Sequence, residues 1–235
     1  MLEEIRLVKF LIVLSFLAYA TKLDLKTRIV PNKIWISLLL LTLPLNVFEL
    51  DCFNLLSLVQ ILFIILLSYT LFRIGAFGGA DAKAIISLSL IFPTYPSCHI
   101  FPVLTKSFSF SFTVLTNSVI VSPALFIYYF FKNLRKLGLE EFREKPIFYF
   151  VGFKAKVTQI PKFHNLLEIE EGGRIKKLKF GKSIEPTSDV ISRIRRAGVK
   201  EVWVTPGLPF FVFITFGYLI SFFVGDLILY IFWYV

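Results

Sequence analysis

Long apolar stretches without a single charge constrain this chain more than any other feature. Residues 52–72 and 107–131 contain no Asp, Glu, Lys or Arg, and a helix needs about 20 mostly apolar residues to cross a bilayer. Four further stretches read as spans of the same kind. Residues 7–23 carry Lys9 and Lys22 near their ends, where long basic side chains can snorkel to the interface. Residues 34–50 are interrupted by Pro44 and closed by Glu49 and Asp51. A stretch from Ala84 runs to Phe92, after which Pro93, Pro96 and Pro102 stop a straight helix. The last follows Pro206 and Pro209, with Asp226 its only charge. The expected fold class is therefore an all-α polytopic membrane protein with six transmembrane helices. Only 18% of the residues are charged, against about 25% in soluble domains. The first stretch lacks the small-residue pattern of a cleavage site and reads as a retained helix.

The charges outside these stretches set an orientation. Short cytoplasmic loops hold the excess of Lys and Arg. Lys22, Lys26, Arg28 and Lys33 fall between spans 1 and 2, and Arg73 and Lys83 between spans 3 and 4. The opposite side holds Arg6, Lys9 and Lys106 beside Glu3, Glu4, Glu49 and Asp51. Both termini are expected to be extracytoplasmic.

Residues 132–205 differ in kind, holding 17 of the 26 basic residues and 9 of the 16 acidic ones, a net +8. The expected organisation is a membrane domain over residues 1–131, a small, basic α/β cytoplasmic domain inserted at 132–205 before the last helix, and helix 6 over 206–235. Within the insert, residues 147–157 read as a strand, residues 167–180 as a hairpin turning at Gly172-Gly173, residues 187–198 as a capped short helix and residues 201–205 as a last strand. The positive charge suits anionic lipid head groups, or is a solvated surface. No nucleic-acid reader motif is present, so nucleic acid is not an expected partner.

Six carboxylates precede residue 132, and only Asp24 and Asp81 lie on the cytoplasmic side. If helices 1 and 4 are neighbours, their side chains meet at one depth. Two close carboxylates cannot both ionise cheaply, so one keeps a proton. The ionised group can then activate water while the protonated one donates to a peptide carbonyl. Taken singly, each has a plainer reading: Asp81 as a helix cap, Asp24 as an ion-pair partner among Lys22, Lys26 and Arg28. Around Asp81 stands Gly75-Ala76-Phe77-Gly78-Gly79-Ala80-Asp81-Ala82-Lys83, and after Asp24 stands Arg28-Ile29-Val30-Pro31-Asn32-Lys33-Ile34-Trp35. Glycines allow the close chain approach that a peptide-cleaving site needs.

These two segments resemble the GxGD-type membrane aspartyl peptidases that process type IV prepilins, and more narrowly the archaeal preflagellin peptidases. The Glu201-Val202-Trp203-Val204-Thr205-Pro206 approach to the last helix fits the same pattern. The resemblance implies Asp24 and Asp81 as the catalytic pair, Gly78 and Gly79 as the glycine turn, and Lys83 as the lysine that follows the motif. Ala80 stands where the motif usually has Gly. The implied activity is removal of a short basic leader from preflagellin or prepilin-like substrate proteins at the cytoplasmic membrane face, with membrane lipids as surroundings. Bacterial relatives often add an N-methylating activity and a four-cysteine zinc motif. With two Cys and two His, this chain is expected to have peptidase activity alone, no metal and no cofactor.

Other residues read as bystanders. Asp226, with Gly225, is expected inside the last helix near the outer surface. His99 and His164 are isolated; Cys52 and Cys98 fall on the outer side, as free thiols or as a disulfide. Two other functions remain open: a proton- or ion-coupled transporter, for which ionisable groups among membrane helices would argue, and a non-enzymatic scaffold for filament or secretion assembly.

Overall fold

A stripe of buried side chains at Lys9, Phe10, Val13, Leu17 and Ala20 recurs every three or four residues, which is why the N-terminal segment folds as a single long helix, α1 (Leu2–Thr27). Glu3 and Glu4 in its first turn and Lys26 in its last oppose the helix dipole favourably. Arg28 then adopts a left-handed conformation with φ 56°, and Pro31 follows, so the helix stops. The computed structural model describes residues 2–96, 103–171, 174–178 and 182–234. Cys98, His99 and the Gly172-Gly173 turn lie outside the described residues.

The chain divides into two compact units, residues 1–122 with 209–235, and residues 123–208. In the first unit, α2 (Asn32–Thr42) leads into a 3-10 segment, Leu43–Cys52, where Pro44 ends α-helical bonding. Asn54 caps α3 (Leu55–Arg73), accepting from the Ser57 amide at 2.9 Å. Then come α4 (Gly79–Ile91), α5 (Phe110–Val121), α9 (Phe210–Phe223) and α10 (Leu227–Tyr234). One buried cluster joins them: Leu17 of α1, Trp35 of α2, Ile64 of α3, Ile85 of α4, Val114 of α5 and Tyr218 of α9. Helices α5 and α9 meet at Gly217, where a Cβ would stand 2.3 Å from Ser118 Oγ, so only glycine permits this approach.

The six transmembrane helices expected from the sequence are not what the chain forms. Among the described residues, two helical runs are long and apolar enough to cross a membrane, Leu55–Arg73 and Phe110–Glu144. Apolar length is not helix length, because the backbone turns inside the apolar stretches. The 11 residues of α2 reach only about 16 Å, roughly half the hydrocarbon thickness. Helix α4 has 13 residues and α9 has 14. The last stretch breaks at Gly225, with φ 109°, and restarts at Asp226, whose Oδ1 accepts from the amides of Ile228 and Leu229 at 2.9 and 3.2 Å. Asp226 is therefore a buried helix cap rather than an intrahelical residue. Lys9, read as snorkelling, is fully buried and paired with Glu49, which also accepts from Arg6 Nε at 2.6 Å.

The second unit mixes helices with two small sheets. Helix α6 (Pro123–Glu144) is kinked at Gly138, and α7 (Pro146–Val151) follows with Pro at its first position. Residues 147–151, read as strand from their aromatic and β-branched content, are thus helical. Asn133 ends α7, donating to the carbonyls of Tyr149 and Gly152 at 2.9 and 2.6 Å. Strands β1 (Phe153–Lys156) and β2 (His164–Leu166) both pair antiparallel with β5 (Glu201–Pro206), giving the order β1-β5-β2. Flanked on both sides, β5 buries Val202, Trp203 and Val204 completely. Strands β3 (Glu168–Glu171) and β4 (Arg174–Lys177) form an antiparallel pair with Glu171 opposite Arg174. Helix α8 (Ser188–Arg196) starts after Thr187 and ends before Gly198, whose φ of 74° turns the chain into β5.

Candidate active site

Asp24 sits in the last turn of α1, and its carbonyl oxygen accepts from the Arg28 amide at 3.0 Å. The same Arg28 returns its guanidinium to the Asp24 carboxylate, Nη1 to Oδ2 at 3.5 Å. The Arg28 backbone is left-handed, with φ 56°. That conformation is uncommon for a residue with a Cβ, so it is held by its surroundings. Burial pushes the Asp24 carboxyl above its ordinary range, and the Arg28 charge opposes that shift.

Asp81 occupies the first turn of α4, three residues after Gly78. Its Oδ2 accepts from the Gly78 amide at 3.0 Å, capping the helix from inside. Gly78 itself has φ −71°, open to any residue. Its value is space: a Cβ there would stand 3.0 Å from Asp81 Oδ2. Gly79 begins α4, with only the Phe72 ring near where a Cβ would lie. Ala80, the departure from the family pattern, is helical and packs against the buried cluster, so the extra methyl costs no unusual backbone. Asp81 is pushed up to about 6, by burial first; the Gly78 hydrogen bond lowers it, and the negative charge of Asp24 raises it further. The two aspartates are thus within electrostatic reach of each other.

A link absent from the sequence reading ties their two segments together. Lys83 of α4 donates to Asn32 Oδ1 at the start of α2 at 2.7 Å. Pro31-Asn32 and the Gly-rich loop were both visible as motifs; nothing in their spacing said that Lys83 and Asn32 meet. In the sequence Arg28 is one of several basic loop residues, and its backbone conformation marks it out. His164 stands in β2, its Nδ1 2.8 Å from the Lys162 carbonyl, and Asp226 belongs to a separate buried polar group with Asn117 and Thr113. Among the described residues, no three of His, Cys, Asp and Glu gather as a metal site.

Burial raises both carboxyls; Arg28 opposes the shift at Asp24, and the Gly78 amide opposes it at Asp81. Two raised carboxyls in different surroundings can share one proton, as general acid–base hydrolysis of an amide by an aspartic-type peptidase requires. Comparison with known proteins points the same way. The chain belongs to the type IV leader peptidase family, which it matches over residues 11–134, more than half its length. Residues 144–227 match the archaeal peptidase A24 C-terminus of type II. It is 28% identical to a preflagellin peptidase of Methanocaldococcus jannaschii, over 96% of this chain and 97% of the relative. A preflagellin peptidase of Methanococcus voltae is 29% identical, over 95% of this chain and 97% of its own length. A prepilin peptidase EppA of Methanothermobacter thermautotrophicus is 31% identical over 61% of this chain and 41% of that protein. The protein is a membrane-associated peptidase.

Proposed function

We propose that this chain is an aspartic endopeptidase that removes the leader of a preflagellin or prepilin-like protein, with Asp24 and Asp81 as its catalytic pair. The observation that carries the reading is the match to the type IV leader peptidase family and to preflagellin peptidases over nearly the whole chain, with Asp24 in the last turn of α1 and Asp81 in the first turn of α4, both raised by burial. Asp24, ionised beside Arg28, takes a proton from water as the water oxygen bonds to the scissile carbonyl carbon. Asp81 gives its proton to the carbonyl oxygen, forming a neutral tetrahedral diol. Collapse breaks the carbon–nitrogen bond; the leaving amine is protonated by the pair, and the hydroxyl proton restores the starting state. Gly78 leaves the substrate backbone room beside Asp81, and Lys83 holds the loop through Asn32.

The carboxyl pair works at the cytoplasmic face of the cell membrane, where Lys22, Lys26, Arg28 and Lys33 also lie. The far end of α1, with Glu3 and Glu4, lies about 30 Å along the helix, on the opposite side, and the C-terminus is assigned there too. Residues 132–205 form a basic domain on the cytoplasmic side, beside anionic lipid. The test is incubation of the detergent-solubilised chain with a full-length preflagellin and with a prepilin, followed by N-terminal sequencing of the product. A shortened product beginning just ahead of the apolar segment is expected. Substrates left intact by folded protein would favour an assembly scaffold instead.

A further inference from the structure

The second unit contains a cleft of about 360 Å³ that the peptidase chemistry leaves unused, within the size range of small-ligand sites. Leu125, Phe126 and Tyr129 of α6 line one side. Phe148 and Leu167, 8% and 7% exposed, lie deepest, while Leu208, half exposed, stands at the mouth. Besides Tyr129 and Thr205, whose hydroxyl donates to the Val151 carbonyl at 2.7 Å, the polar side chains of the lining stand together. Asn165 Nδ2 donates to Ser183 Oγ at 3.1 Å, and Lys182 adjoins that pair at the surface. Among the described residues lining the cleft there is no carboxylate. An apolar slot with one cation and one hydroxyl at its edge suits an amphiphile with an anionic head.

Two further observations decide which amphiphile. The side formed by Leu125, Phe126 and Tyr129 belongs to the helical run Phe110–Glu144, which is long and apolar enough to cross a membrane. Ile127 and Tyr128, on the same turn but outside the cleft, are more than half exposed, as a lipid-facing surface would be. One helical turn on, Lys132 places its ammonium 4.7 Å from the Phe153 ring and 5.8 Å from that of Tyr129. A cation over aromatic rings at the end of an apolar stretch is an interfacial arrangement. The net +8 over residues 132–205 draws such a surface to anionic rather than neutral head groups.

We propose that this cleft binds one hydrocarbon chain of an anionic phospholipid from the adjoining leaflet, its phosphate held by the Lys182 ammonium and the Ser183 hydroxyl. The site is independent of the carboxyl pair. Its test therefore reads binding, not cleavage. Phosphatidylglycerol and phosphatidylcholine with the same chains, each bearing a photoactivatable diazirine on one chain, are added to the full chain in detergent and irradiated, and labelled peptides are mapped by mass spectrometry. Phosphatidylglycerol should label the segments containing Leu125, Phe126 and Leu208 about tenfold more than phosphatidylcholine. Lys182→Glu should abolish that preference, and Leu208→Asp, at an exposed position, should cut labelling by both lipids; melting temperatures within about 2 °C of the parent show that the variants fold. Equal labelling by the two lipids, or labelled residues confined to Ile127 and Tyr128, would each overturn the proposal.

Discussion

Replacing Asp81 by Asn should make the protein more stable, and only above a defined pH. The Asp81 carboxyl is pushed up to about 6, chiefly by burial, from an ordinary value of 3.8. A raised carboxyl disfavours the folded state once it ionises, so its contribution is harmless below about pH 4 and is lost progressively as pH rises through 6. Two units at 1.36 kcal/mol each set a ceiling of about 3 kcal/mol. Partial solvent access and relaxation reduce this to about 1–2 kcal/mol. Asn keeps an oxygen for the Gly78 amide, so the α4 cap survives. Thermal unfolding of parent and Asp81→Asn in one detergent, from pH 4 to 8, should show coincident melting temperatures at the acid end. A gap of about 3–6 °C in favour of the variant should open between about pH 4 and 6 and hold above that. Adding Asp24→Asn removes the second charge and should narrow the gap. A constant gap at every pH, or a variant less stable at pH 8, would refute the reasoning.

Other expectations follow from single contacts. The Arg28–Asp24 pair at 3.5 Å is partly exposed and contributes about 0.5–1 kcal/mol; Arg28→Gln should move the acid limb of kcat/KM upward by about half a unit, with Arg28→Lys restoring it. Lys83→Met and Asn32→Ala break one hydrogen bond between them, so a double-mutant cycle on melting should give a coupling of about 0.5–1.5 kcal/mol. Gly217→Leu drives a side chain into Ser118 and the Val114 carbonyl and should cost about 1–3 kcal/mol in detergent stability. Lys9→Met leaves Glu49 buried with Arg6 as its remaining cation and should cost about 3 kcal/mol, much of it recovered when Glu49→Gln is added.

What the residues disclosed in advance follows from which signals are local. The two aspartates stood out because carboxylates are scarce in an apolar chain, and scarcity needs no structure. The short helix α8 and the apolar run of β5 were legible as well, since Gly198 after the helix and a buried strand are short patterns, although the Thr187 side chain makes no cap hydrogen bond. Helix lengths were not. Hydropathy reads Val224, Gly225 and Asp226 as an apolar helix with one blemish, whereas Gly followed by Asp is also a stop and a cap, and the backbone takes that course. Likewise Lys9 looks interfacial until Glu49, forty residues on, folds back to it. Residues 147–151 carry strand-like side chains, but Pro146 starts a helix there. The Lys83–Asn32 bond and the left-handed Arg28 depend on tertiary context alone.

The central claim is that Asp24 and Asp81 share one proton and act as a unit. Cleavage of a preflagellin by purified Asp24→Asn and Asp81→Asn, each checked for folding by its melting curve, tests it most directly. Each single variant should lose at least about a thousandfold in kcat/KM, and the double variant should lose little more. Retained processing by either single variant, or losses that multiply in the double, would contradict it.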